Sequence, residues 1–155
     1  MKNFFEFFDF PISYRLNESE LTDRYFEKQQ LLRLGKNNNC CDCESNIAYL
    51  NEAYKTLMHP VDRAEHIIKL QGLRIDEFSS EPAIEMLEIH EKYNLLSSED
   101  AKKEYQVFLN QRMSEIIDLL YETNEYSNEF YYYTCLLRFI HSFLEKISTN
   151  VYSRN

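Results

Sequence analysis

Apolar residues recur along this chain at three-to-four-residue spacing, in blocks divided by short polar breaks, and that period predicts helices. Phe4, Phe5, Phe7, Phe8 and Phe10 come first and stop at Pro11, a dense aromatic load for one short helix that must be buried against something large. Asn17 and Glu20 form a capping-box pattern, and Leu21, Tyr25, Phe26, Leu31 and Leu32 then predict a long amphipathic helix from about Glu18 to Leu34. Leu50, Ala53, Tyr54 and Leu57 mark a further helix that starts near Glu44. His59-Pro60 interrupts it, and Ala64, Ile67, Ile68 and Leu70 carry a second run to Gly72. The two runs read as helices meeting at a corner, with Pro60 at a first helical position, where its missing N–H costs nothing, and Gly72 closing the helix in the left-handed conformation.

A second domain is expected after this corner. Ser80 can cap a helix carrying Ile84, Leu87, Ile89, Tyr93, Leu95 and Leu96. Ser97 or Ser98 caps the next, where Tyr105, Phe108, Leu109, Met113, Ile116, Ile117 and Leu120 keep helical spacing to about Thr123. After the polar break at 124–128, Phe130, Tyr133, Leu137, Ile140, Leu144 and Ile147 line a last helix that frays after Ser148. Three helices joined by short loops favour an antiparallel bundle. The expected fold is all-α, with an N-terminal domain over residues 1–75 and a C-terminal three-helix bundle over 76–155.

Composition agrees. The 155 residues suffice for one mid-sized domain or two small ones, and with two Gly and three Pro the chain is poor in turn formers. The net charge of −9 argues against nucleic acid, because phosphate binding needs clustered Lys and Arg. Residues 1–75 hold ten basic against eleven acidic side chains and the remainder seven against fifteen, so the acidity belongs to the C-terminal half. That half suits a basic partner, or is simply a solvated helix exterior. No run of eighteen apolar residues predicts a membrane span, and the opening carries acids where a signal peptide is apolar, so a cytoplasmic protein is expected.

The corner is also where the chain resembles a known family. Asn51-x-Ala53-Tyr54-x-Thr56-Leu57, then His59-Pro60, Arg63-Ala64-Glu65 and Leu70-x-Gly72, is similar to the third and fourth J-domain helices of the HscB co-chaperones, with Arg63-Ala64-Glu65 the most diagnostic piece. Phe5, Phe8, Pro11, Tyr14 and Leu16 resemble the opening of the same family. Leu87-Glu88-Ile89-His90-Glu91 and Leu137-Arg138-Phe139 resemble its C-terminal bundle. The resemblance spans residues 3–147 with a gap at 33–44. It implies an L-shaped, all-α adaptor, a J-domain-like unit followed by the bundle, that carries an IscU-type iron–sulfur scaffold to an HscA-type ATPase chaperone. It further implies that Arg24, Lys28, Arg33 and Lys36 supply the basic surface for the chaperone. Ala83, Ile84, Leu87, Glu88, Glu91 and Phe139 would contact the scaffold, Ala83 being smaller than the Leu the family places there. On periodicity alone, Arg24 and Lys28 read equally as solvated helix charges one turn apart.

One departure stands out. The family's His-Pro-Asp tripeptide, which triggers ATP hydrolysis, aligns with Arg33-Leu34-Gly35 here, so none of its three residues is present. A second reading follows, a degenerate J-protein that binds the scaffold or other proteins without stimulating an ATPase.

Four cysteines are too bunched for a disulfide framework, since Cys40, Cys41 and Cys43 share one loop, and reduced thiols are expected. Those three could supply thiolates for a metal carrier or redox sensor, but Cys-Cys-x-Cys lacks the two spaced pairs of structural zinc, and no resident metal or cofactor is expected. No glycine-rich phosphate loop, metalloprotease His-Glu pattern or Cys-His pairing motif occurs, so the chain is not read as an enzyme.

Overall fold

A computed structural model describes residues 3–35, 43–75 and 80–152. Lys36, Cys40 and Cys41 lie outside them, and Cys43 is described only as the first residue of its helix. Secondary structure among the described residues is helical, without a strand: α1 (Phe4–Phe7), α2 (Glu18–Gly35), α3 (Cys43–Met58), α4 (Pro60–Leu70), α5 (Ser80–Leu95), α6 (Glu99–Glu122) and α7 (Asn128–Tyr152). The chain divides into two compact units, residues 1–70 and 71–155.

In the first unit α2 and α3 form an antiparallel hairpin. Thr22 meets the Tyr54 hydroxyl at 3.2 Å and the Tyr25 hydroxyl donates to Asn51 Oδ1 at 2.9 Å, while the Tyr25 and Tyr54 rings stack at 4.3 Å. Asn17 caps α2, its Oδ1 accepting from the Ser19 and Glu20 amides at 3.1 and 3.2 Å. The carboxylate of Glu20 does not complete the box but pairs with Arg24. Asn3 caps α1 in the same way, which lets a single turn of helix present Phe4 and Phe5 inward. Their rings and that of Phe8 join Leu21, Leu50, Ala53, Leu57, Ile67 and Ile68 in the buried core.

Pro60 opens α4, and Gly72 follows its end with φ +78°, both as the sequence predicts. What holds the corner is Arg63. Its side chain is fully buried. Nε donates to the Leu57 carbonyl at 2.6 Å, Nη1 to the Tyr14 carbonyl at 3.1 Å, and Nη2 pairs with Glu18 at 2.8 Å. One guanidinium thereby links the end of α3, the segment before α2 and the first turn of α2, using the five-donor fork that only Arg offers. His66 is the second buried polar group, accepting from the Phe4 amide at Nε2 (3.2 Å) with its ring stacked on Phe4 at 4.5 Å. Burial holds its pKa down at about 4, with the charge of Lys69 adding to the effect, so the ring is neutral near pH 7 and its remaining proton sits on Nδ1.

The second unit is a three-helix bundle. Contacts Glu85–Arg112 and Lys92–Tyr105 run α5 against α6 in opposite senses, whereas Glu85–Tyr132 and Tyr93–Phe143 make α5 and α7 parallel. α7 packs on both neighbours and buries Phe130, Leu136, Leu137, Ile140, Phe143 and Ile147. Ser98 caps α6 by accepting from Ala101 N–H at 3.1 Å. The last helix does not stop near Ser148 as its apolar pattern suggests but continues to Tyr152.

Candidate functional site

α5 divides its side chains between two environments. Met86 and Ile89 face the bundle interior, while Ala83, Ile84, Leu87, Glu88 and Glu91 all point to solvent, Ile84 at 60% and Leu87 at 58% exposure. Positions 84, 87, 88 and 91 are neighbours on a helix surface, so two large apolar groups lie beside two carboxylates on one stripe. Phe139 on α7 is partly exposed and stacks on Phe143 at 5.9 Å, and Phe143 in turn meets the His90 and Tyr93 rings of α5 edge-on at 5.8 and 5.3 Å. Apolar groups on an exposed helix with acids alongside form a surface suited to another protein, not a pocket suited to a small molecule.

A network that sequence reasoning missed supports this stripe. Glu85, one residue beyond Ile84, receives a hydrogen bond from the Tyr132 hydroxyl and pairs with Arg112 at 3.2 Å, and Arg112 also reaches Glu115 at 3.4 Å. That hydrogen bond to Glu85, with burial as the next cause, pushes the Tyr132 hydroxyl up to about 12. One carboxylate thus fastens α5 to both other helices, so the exposed stripe is held on a rigid backing. A cross-helix pairing of this kind leaves no spacing signal in the sequence.

The basic residues expected to face a chaperone are placed differently from one another. Arg24 turns toward the N-terminal segment, where Nη1 donates to the Phe8 and Asp9 carbonyls at 2.5 and 2.8 Å and the guanidinium lies 4.1 Å from the Phe10 ring centroid. Lys28 follows it, 3.4 Å from the Asp9 carboxylate and 5.1 Å from the Phe7 ring centroid. Asp9 has φ +60°, a left-handed backbone that an Asp tolerates better than most residues. The two cations therefore tether the turn after α1. Arg33 is exposed, but Arg33-Leu34-Gly35 forms the last turn of α2 and not a loop beyond it. The α2 pattern also misled: Leu21 is buried, whereas Phe26, Leu31 and Leu34 all face solvent.

Among the described residues no three His, Cys, Asp or Glu side chains converge to hold a metal ion. The cysteine loop containing Cys40, Cys41 and the Cys43 side chain lies outside them, and Cys135 is buried and forms no disulfide. No described helix is long and apolar enough to cross a membrane.

No protein-family model matches the chain. An HscB homologue of Shewanella amazonensis described as a co-chaperone is 36% identical over 78 residues, 47% of this chain and 45% of that protein. The human iron-sulfur cluster co-chaperone protein HscB is 28% identical over 127 residues, 76% of this chain and 54% of that protein. The chain thus spans about half the length of the curated relatives it matches. In fold, the crystal structure of human HscB superposes with a TM-score of 0.76 at 25% identity, covering 97% of this chain and 82% of that one. HscB of Vibrio cholerae superposes with a TM-score of 0.67 at 20% identity, a likeness of fold alone, over 96% of this chain and 99% of the other. With the Arg63-anchored corner and the three-helix unit now in place, the chain is similar to the HscB co-chaperones in sequence over part of their length and in fold over nearly all of its own.

Proposed function

We propose that this chain is a co-chaperone of iron–sulfur protein maturation, an adaptor that binds an IscU-type scaffold through α5 and α7 and brings it to an HscA-type ATPase chaperone. The observation that carries the reading is the exposed stripe of α5, where Ile84 and Leu87 stand out of the bundle with Glu88 and Glu91 beside them. Residue types support it: apolar side chains at the centre of an interface supply affinity, and acids at its rim supply orientation toward a basic partner. Ala83 and Phe139 would extend the contact at either side.

The chemistry belongs to the chaperone, and this chain acts by binding, as the relatives' description as co-chaperones supports. With Arg24 and Lys28 turned to the N-terminal segment, Arg33 and Lys36 are left as the basic groups for the chaperone.

The test is titration of the purified scaffold against the full chain by calorimetry. Leu87→Ser should weaken binding by about 1 to 3 kcal/mol without lowering the melting temperature, and Glu88→Gln by less. Unchanged affinity in Leu87→Ser and in Ile84→Ser would place the scaffold elsewhere. A second reading, an adaptor that does not stimulate the ATPase, is favoured by the loss of His-Pro-Asp at 33–35.

A further inference from the structure

On the first unit, α3 and α4 flank an open cavity of about 360 Å³, with Phe4 of α1 as a third wall. Glu52 and Thr56, one turn apart, line it from α3, and Asp62, Glu65, His66 and Lys69 line it from α4. Neither the exposed stripe of α5 nor the basic residues left for the chaperone belong to it. His66 gives this cavity a hydrogen-bond donor. The residue is only 5% exposed, its Nε2 accepts from the Phe4 amide and its ring stacks on Phe4, so the neutral imidazole carries its proton on Nδ1. That N–H meets no acceptor among the described residues. Nδ1 is nevertheless not among the atoms sealed from solvent, and the cavity is the opening that His66 lines. A donor so deeply placed and without a partner carries its desolvation cost, and it selects a ligand that brings an acceptor.

Charge decides the rest of that ligand. Glu52, Asp62 and Glu65 stand against Lys69 alone, and with His66 neutral the lining carries a net charge of −2. Lys69 is held by Glu65 at 3.2 Å and Asp62 faces His59 at 3.2 Å, whereas Glu52 has no cationic partner among the described residues. An anionic ligand would meet these acids, and no three His, Cys, Asp or Glu side chains among the described residues converge on a metal ion. What fits is an organic cation that carries a carbonyl a few bonds away. A guanidinium forks its donors to more than one carboxylate, and the carbonyl then answers Nδ1–H. The volume is at the lower end of the roughly 300 to 1,000 Å³ of ligand sites, room for one residue and not for a folded element. A free amino acid adds a carboxylate that the rim repels, so an arginine within a peptide, which has lost that charge, is the better match.

We propose that the cavity between α3 and α4 binds an arginine residue of an extended peptide segment, its guanidinium at Glu52 and Asp62 and its main-chain carbonyl accepting from His66 Nδ1–H. This goes beyond the adaptor reading and does not rest on it. Glu52 supplies the unpaired charge, His66 the directional bond, and the two together separate a basic peptide from a bare cation, which has no acceptor, and from a neutral peptide, which has no charge.

The probe is N-acetyl-arginine amide, which keeps the side chain and both peptide carbonyls and has no terminal charge. It is titrated into the full chain and followed by heteronuclear NMR of the backbone amides and the histidine rings. A ligand of this size binds at about millimolar. The expected result is saturable shifts centred on Thr56, Asp62 and His66, the Nδ1 resonance included, with affinity reduced about threefold or more in Glu52→Gln. Glu52 is exposed, and a melting curve verifies that this variant folds. The citrulline analogue, whose side chain ends in a neutral urea, and free arginine should both bind more weakly than the probe. No saturation up to tens of millimolar, shifts centred elsewhere, or an Nδ1 resonance that does not move overturns the proposal. So does an affinity unchanged in Glu52→Gln, or a citrulline analogue that binds as well. Free arginine binding more tightly than the amide also overturns it, since the cavity is then a site for an amino acid and not for a peptide.

Discussion

Arg63 and His66 lie three residues apart on α4, and each turns a polar side chain into a structural one. For Arg63 the guanidinium satisfies two buried carbonyls and meets Glu18, itself about half exposed. Removing it strands the carbonyls in a cavity, so Arg63→Ala should cost about 3 to 5 kcal/mol in urea denaturation. Glu18→Gln, which touches only the exposed end of the network, should cost under about 1 kcal/mol. Near-equal losses would show that the ion pair, not the carbonyl bonds, holds the corner. His66 predicts a pH dependence. Its pKa of about 4 in the fold lies below the ordinary 6.5, so the unfolded chain binds the proton more readily. Its stabilising contribution is therefore full above pH 6.5 and is lost as pH falls toward 4, by at most about 3 kcal/mol. The pH-dependent loss of stability between 6.5 and 4.5 should be shallower in His66→Gln, which keeps an acceptor for the Phe4 amide; an identical slope would mean that carboxylates alone govern this range. Sequence reading picked out Arg63-Ala64-Glu65 as the most diagnostic piece of the chain, yet nothing in it marked Arg63 as buried, because an Arg among helical residues ordinarily faces water.

At the scale of elements, the helices themselves were legible, α2 among them, whereas the face that each one buries was legible only in part. The α3–α4 corner followed from Pro60 and Gly72, whose backbone demands are local. α5 was legible as a helix, but its exposed stripe was expected from the resemblance and not from spacing, which groups Ile84 and Leu87 with the buried Ile89. α2 was legible as a helix but its buried face was not, because Leu21 and Tyr25 share it with Phe26, Leu31 and Leu34, and periodicity gives no rule for which face the core takes. Nor could spacing tell that Arg24 and Lys28 turn toward α1, since that depends on where a turn fifteen or more residues away returns. Their role makes a prediction. Arg24→Ala removes two hydrogen bonds from a charged donor and the cover over Phe10, so it should cost about 1.5 to 3 kcal/mol. Amide exchange should quicken most at Phe8 to Phe10. Loss of stability with exchange unchanged there would mean that Arg24 works through Glu20 alone.

For the whole molecule, the adaptor reading divides binding from stimulation, and residues 33–35 are where the two separate. In relatives that keep His-Pro-Asp, as the resemblance implies, an Asp just past the second helix supplies a carboxylate acceptor to the ATPase. Arg33-Leu34-Gly35 supplies none and forms the last turn of α2. A charge-assisted hydrogen bond contributes about 1.5 to 3 kcal/mol, so its absence predicts stimulation lower by about tenfold to more than a hundredfold. Scaffold binding should be untouched, because Ile84 and Leu87 belong to the other compact unit. Restoring His-Pro-Asp at 33–35 should raise single-turnover hydrolysis by the chaperone while leaving scaffold affinity as it was. The triple replacement also puts Pro within the last turn of α2, which shortens the helix and returns the tripeptide to a loop. Arg33→His/Gly35→Asp separates the two effects by restoring the imidazole and carboxylate without the break. If that pair of changes alone raises hydrolysis, the missing side chains are the cause. If only the variant with Pro does, the helical conformation of residues 33–35 is what withholds stimulation. If native and rebuilt chains stimulate equally and well above the basal rate, the chain acts on its ATPase by a route that does not pass through residues 33–35.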